Sequence, residues 1–102
     1  MSALEDLFAF QLRASKIKFE REVKLVPGRR FRWDFVIGDL AIEIQGSVWV
    51  KGAHSTGKGI TRDADKLYLA VLNGFRPLVI TGDLVKSGVG VQRVIQLIGE
   101  KK

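Results

Sequence analysis

Hydrophobic and polar positions fall into two periods along this chain, and the changes between them mark its elements. Leu4, Leu7, Phe8 and Leu12 recur at helical spacing and predict a helix over residues 3–15. Ser2 and Glu5 stand in the capping-box relation at its start. Residues 19–26 read as a short first strand, and Pro27-Gly28 as a turn. From Arg32 to Gly46 (RWDFVIGDLAIEIQG) the period falls to two, giving two strands joined at Gly38-Asp39, a pair that suits a II′ hairpin turn. Arg32, Asp34 and Val36 share one face of the first strand, and Phe31, Trp33, Phe35 and Ile37 the other. On the second, Ala41, Glu43 and Gln45 oppose Leu40, Ile42 and Ile44.

Residues 51–59, KGAHSTGKG, have no period and read as a loop. Thr61 reads as the N-cap of a second helix, with Asp63 and Asp65 in its first turn. Ala64, Leu67, Tyr68, Val71 and Leu72 form its expected core face, and Gly74 its C′ residue. Residues 75–81, FRPLVIT, predict a strand buried on both faces, with Pro77 tolerable at an edge or at the strand's start. Gly82-Asp83 opens a last amphipathic helix with Leu84, Val85, Val91, Val94, Ile95 and Ile98 toward the core, its first half weakened by Gly88 and Gly90. The order is α-β-β-β-α-β-α, an α/β domain spanning 1–102 with helices on a sheet and no internal repeat.

The hairpin carries the first chemical signal. If Gly38-Asp39 is the whole turn, Ile37 pairs with Leu40, and counting back sets Asp34 across from Glu43. Opposed residues have Cβ atoms roughly 4.5–5.5 Å apart, where like charges repel. A divalent cation with oxygen ligands between them reverses the sign of that interaction. Strand register alone therefore points to a metal site.

Composition narrows the partner. Hydrophobic residues make up 46% of the 102 positions and charged residues 27%, with no apolar run approaching a membrane span and no signal-peptide pattern. The absence of cysteine fits a reducing, cytoplasmic setting and excludes disulfides and thiolate zinc sites. A net charge of +6 favours a polyanion, nucleic acid before an anionic membrane. No phosphate loop, dinucleotide fingerprint or nucleophile constellation supports a small-molecule enzyme.

A helix, a three-stranded meander bearing D…ExQ, then helix-strand-helix resembles the PD-(D/E)xK nuclease superfamily, the restriction-endonuclease-like fold. The segments RRFRWDF, AIEIQGSVW, KGAHSTGKG, DADKLYLAVLNGFRPLVIT and VKSG together resemble the virus-type replication-repair nuclease (VRR-NUC) family over about Glu20 to Gly88. The resemblance implies a Mg²⁺-dependent endonuclease, with Mn²⁺ able to substitute, acting on DNA in a bacterial or phage-infected cell. It implies Asp34, Glu43 and the carbonyl of Ile44 as metal ligands, and Gln45 in the place of the superfamily's lysine. Glu5 matches an acidic residue of the first helix that orders metal or water, with Glu22 and then Glu20 as substitutes. His54 and Lys58 fall in the family's Gly/His loop, and Lys66 and Tyr68 on the helix after it. Related resolvases further imply a homodimer that cuts four-way or other branched junctions, with Val48-Trp49-Val50 as interface candidates.

Three departures stand out. Gln45 is neutral and cannot supply a lysine's charge, Ser47 replaces a second glycine, and Ala53 stands where an arginine is common. The remaining candidates are cations for DNA phosphates: Arg29, Arg30, Arg32, Lys51, His54, Lys58, Arg62 and Lys66. Each also reads as ordinary solvated charge, and Trp33 and Trp49 as core rather than base-stacking platforms. The competing readings are a non-catalytic nucleic-acid-binding module whose acids serve structure only, and a nuclease for flaps, nicked or linear DNA.

Overall fold

The computed structural model describes residues 2–46 and 57–100. Its elements are α1 (Ala3–Ala14), β1 (Glu20–Val23), β2 (Trp33–Ile37), β3 (Leu40–Gln45), α2 (Gly57–Leu72), β4 (Arg76–Thr81), α3 (Gly82–Ser87) and α4 (Val89–Glu100). The sheet order is β1-β2-β3-β4, antiparallel except for the parallel β3–β4 pair. A parallel neighbour needs a crossover, and α2 provides it. No helix of the described residues is long and apolar enough to cross a membrane.

The hairpin forms in the expected register. Ile37 pairs with Leu40, Val36 with Ala41 and Phe35 with Ile42, and Gly38 takes φ 58, the conformation a II′ turn reserves for its first central residue. Asp39 then ties this turn to β4. Its carboxylate accepts two hydrogen bonds from the Arg76 guanidinium, both 3.0 Å, and its carbonyl accepts the Arg76 N–H at 2.8 Å.

The sheet buries two unequal faces. On one, Phe8, Ala9 and Leu12 of α1 pack with Phe35, Ile37, Leu40, Ile42 and Ile80, and with Val85, Val91 and Val94 of α3 and α4. Phe8 and Phe19 both meet the Phe35 ring edge-on. On the other, Trp33, Val36 and Ala41 pack with Ala70 of α2. Trp33 thus lies with Val36 and not with Phe35 and Ile37 as simple alternation predicts. The alternation breaks at Asp34, whose carboxylate accepts the Ile44 N–H at 2.8 Å where the ladder of backbone bonds ends.

Four further expectations change. α2 begins at Gly57, so Thr61 is inside the helix and not its cap. The stripe assigned to its core faces water instead: Leu67, Tyr68, Val71 and Leu72 are all exposed, while Lys66 is half-buried and Ala70 fully buried. β4 is an edge strand in which only Ile80 is buried, which also explains why Pro77 is tolerated. The last helix is two helices, because Gly88 adopts φ 82 as the C-cap of α3. Gly90 is a site of close approach: a Cβ there would lie 2.7 Å from Cγ2 of Ile80.

Candidate active site

Three elements deliver carboxylates to one end of the sheet. Ser2 caps α1 by accepting the Glu5 N–H at 3.1 Å, and its hydroxyl donates to Glu5 Oε2 at 3.3 Å, so the capping function and the orientation of Glu5 coincide. Glu22 lies in β1 between the Arg21–Phe35 and Val23–Trp33 pairs, which sets it across from Asp34. Carboxylate oxygens of Glu5, Glu22 and Asp34 lie within 4.8 Å of one another. Glu22 holds φ 54, a left-handed conformation that costs a non-glycine residue about 1 kcal/mol or more.

Asp34 is the electrostatic centre. Burial pushes its carboxyl from the ordinary 3.8 up to about 6; the Ile44 hydrogen bond opposes that rise, Glu5 and Glu43 add to it, and Lys66 opposes it. A group so poised is neutral part of the time near pH 6 unless a cation joins it.

Glu43 has a different environment. Lys66 reaches from α2 to form an ion pair with its Oε1, and Gln45 Nε2 donates to its Oε2 at 3.4 Å. The Lys66 ammonium also lies 4.6 Å from the centre of the Trp33 ring. Its side chain is only 14% exposed, so this charge belongs to the site and not to the solvent shell. Arg21 provides a second cation beside the cluster, 3.9 Å from Glu5 and 3.3 Å from Asp6, with its guanidinium over Phe35.

Oxygen donors alone, repelling one another from three elements, form a set suited to a hard divalent cation such as Mg²⁺ or Mn²⁺. Burial is the main cause of the rise at Asp34, and a cation there would offset the smaller part that comes from Glu5 and Glu43.

The chain is similar to the catalytic domain of the homing endonuclease I-Bth0305I, with 26% identity and a TM-score of 0.69, covering 94% of this chain and 92% of that one. The chain has the fold of a nuclease catalytic domain. No protein-family model and no curated protein matches it.

Of the residues named from sequence, Asp34 and Glu5 meet in the close carboxylate group, while Glu43, held by Lys66 and Gln45, lies beside it and outside that group. The structure ties Ile44 to Asp34 through its N–H. Glu22, named from sequence as a substitute for Glu5, joins it instead of replacing it, whereas Glu20 pairs with Val36 at the other end of β1. Arg29, Arg30, Arg32 and Arg62 are exposed, with Arg29 over the Phe31 ring. Lys58 is in the first turn of α2. Lys51, His54 and the Val48-Trp49-Val50 segment lie outside the described residues. The sequence reading missed the Lys66–Glu43 pair. No local pattern signals it, because the partners lie 23 residues apart on a helix and a strand.

Proposed function

We propose that this protein hydrolyses phosphodiester bonds of DNA with the help of a divalent cation. The observation that carries the reading is the convergence of Glu5, Glu22 and Asp34 within 4.8 Å, beside the Glu43–Lys66 pair, on a fold shared with an endonuclease catalytic domain. Glu5, Glu22 and Asp34 would hold Mg²⁺ or Mn²⁺, with Glu43 and the Ile44 carbonyl as further candidate ligands. Such an ion lowers the pKa of a water and offsets phosphate charge.

The chain's own groups supply the rest. Gln45 keeps its amide NH₂ on Glu43 and offers its carbonyl oxygen to orient a water. Lys66 fixes Glu43 and brings a positive charge toward the phosphate, a charge that Gln45 cannot provide. Exposed Arg29, Arg30, Arg32 and Arg62 suit phosphate contacts along the strand, as Lys51, His54 and Lys58 do in the sequence resemblance. The substrate in this proposal is branched DNA, four-way junctions first, cut by a homodimer of a VRR-NUC-like enzyme.

The test is cleavage of a labelled four-way junction beside a matched linear duplex, with Mg²⁺, Mn²⁺ or EDTA, by the parent and by Asp34→Asn. Paired nicks requiring metal and Asp34, on the junction alone, support the whole proposal. Metal-dependent cutting of linear DNA keeps the nuclease and removes the junction preference. Tight, salt-sensitive binding without cutting under any condition replaces both with a binding module.

A further inference from the structure

α2 is an amphipathic helix mounted with its apolar side out. Lys66 and Ala70, on the side toward the sheet, are half-buried and fully buried. Leu67, Tyr68, Val71 and Leu72, on the side away from it, are 40%, 62%, 60% and 64% exposed. Ala64 continues this stripe one turn earlier and is exposed as well. The inversion follows from the site: the helix face that meets β2 and β3 must carry Lys66 to Glu43 and Trp33, so the hydrophobic residues are displaced to the opposite face.

We infer that this face of α2 is the surface through which two copies of the chain associate about a two-fold axis. An isologous contact needs only one patch, because the same stripe serves both partners. Side chains of this size each carry on the order of 150–200 Å², so the stripe leaves on the order of 400 Å² of apolar surface in water. A standard interface removes about 800 Å² from each partner and is a little over half apolar. The stripe thus supplies the apolar part of one such interface, with Tyr68 as an amphipathic anchor of the kind that dominates binding energy.

Charge restricts where a second copy can sit. Each chain carries a net charge of +6, so two copies repel through most of their surface. The stripe itself is uncharged, and exposed Asp65, three residues before Tyr68 and seven before Leu72, lies on its flank. Association here would strengthen as salt screens the net repulsion, the reverse of nucleic-acid binding.

This inference gives the homodimer in the proposed function its surface, and its test needs neither DNA nor metal. Sedimentation of the full chain at tens of micromolar should show a dimer that becomes more populated as salt rises. Val71→Glu, an exposed position outside the catalytic residues, should sediment as a monomer with an unchanged far-UV spectrum. Because the chain has no cysteine, Val71→Cys should oxidise to a covalent dimer, while Lys86→Cys on exposed α3 should not. A monomeric parent, a dimer indifferent to Val71→Glu, or equal cross-linking at position 86 would each overturn the inference. A dimer that cuts no DNA removes the nuclease and leaves the surface; a monomer that cuts removes the surface alone.

Discussion

Lys66 of α2 and Glu43 of β3 form an ion pair at the end of the sheet where three further carboxylates meet. A lysine delivered from a helix in this way supplies charge at the end of a strand whose own position, Gln45, is neutral. Lys66→Met should keep most of the aliphatic side chain and remove the ammonium that faces Glu43 and Trp33. Single-turnover cleavage should fall by about 10²–10³, while junction binding at moderate salt falls only slightly, one phosphate-directed cation being lost from many. Full cleavage by Lys66→Met would show that this pair serves packing alone.

Asp34 makes the metal-free protein pH-sensitive, in a direction opposite to that of ordinary carboxylates. Its folded-state value of about 6 lies above the ordinary 3.8. Between those values the native state retains a proton that the unfolded chain has released, so stability falls as pH rises through this window, and the penalty is complete above it. The full displacement would amount to roughly 3 kcal/mol, and partial exposure to water reduces it to about 1–2 kcal/mol. Asp34→Asn retains an oxygen for the Ile44 N–H and removes the charge. In EDTA it should melt higher than the parent at pH 7.5, with the gap closing near pH 4. Adding Mn²⁺ should raise the melting temperature of the parent and leave the variant unmoved. An unchanged or lower melting temperature for the variant at pH 7.5 would contradict the buried-charge account.

The hairpin was legible in the sequence because two local constraints agree: the period-two pattern fixes the faces and Gly38-Asp39 fixes the register. The three pairs from Ile37–Leu40 to Phe35–Ile42 follow from that agreement, and beyond them Asp34 takes the Ile44 N–H. Trp33 was misplaced because a side-chain oxygen, that of Asp34, takes a strand's backbone N–H, and period counting has no representation of such an exchange. α2 was read inside out for a related reason. A helical stripe has the same period whether it meets its own core or another molecule, and only the partners of Lys66 decide which face turns inward. The joint presence of Glu5 and Glu22 depends on α1 packing beside β1, a long-range contact with no local pattern.

A second charged pair serves as the control, since it lies at the hairpin turn, away from the carboxylates. Arg76 grips Asp39 with two hydrogen bonds and sets the β3–β4 register. A bidentate, half-buried pair contributes more than a surface ion pair. Asp39→Ala should therefore lower unfolding stability by about 1–2 kcal/mol in urea melts, and leave the metal dependence and rate of cleavage unchanged at temperatures where the chain is folded. A specific loss of metal affinity in this variant would mean that the two ends of the sheet are coupled.

Glu22 separates stability from function at a single residue. Its φ of 54 is strained for any side chain, and its carboxylate faces Glu5 and Asp34. Glu22→Gly relieves the backbone and removes a repelling charge together, so the metal-free chain should gain stability, partly offset by the greater freedom of glycine in the unfolded state. Glu22→Gln leaves the backbone strained and removes the charge alone. Both should weaken Mn²⁺ binding about tenfold or more, measured by titration against the Mn²⁺ paramagnetic signal, because each removes the same carboxylate. The glycine variant should melt above the glutamine variant in EDTA, and the difference between them reports the backbone strain free of the charge effect. Mn²⁺ affinity equal to that of the parent in both would exclude Glu22 from the metal-holding set and leave Asp34 and Glu5 with Glu43 as its members.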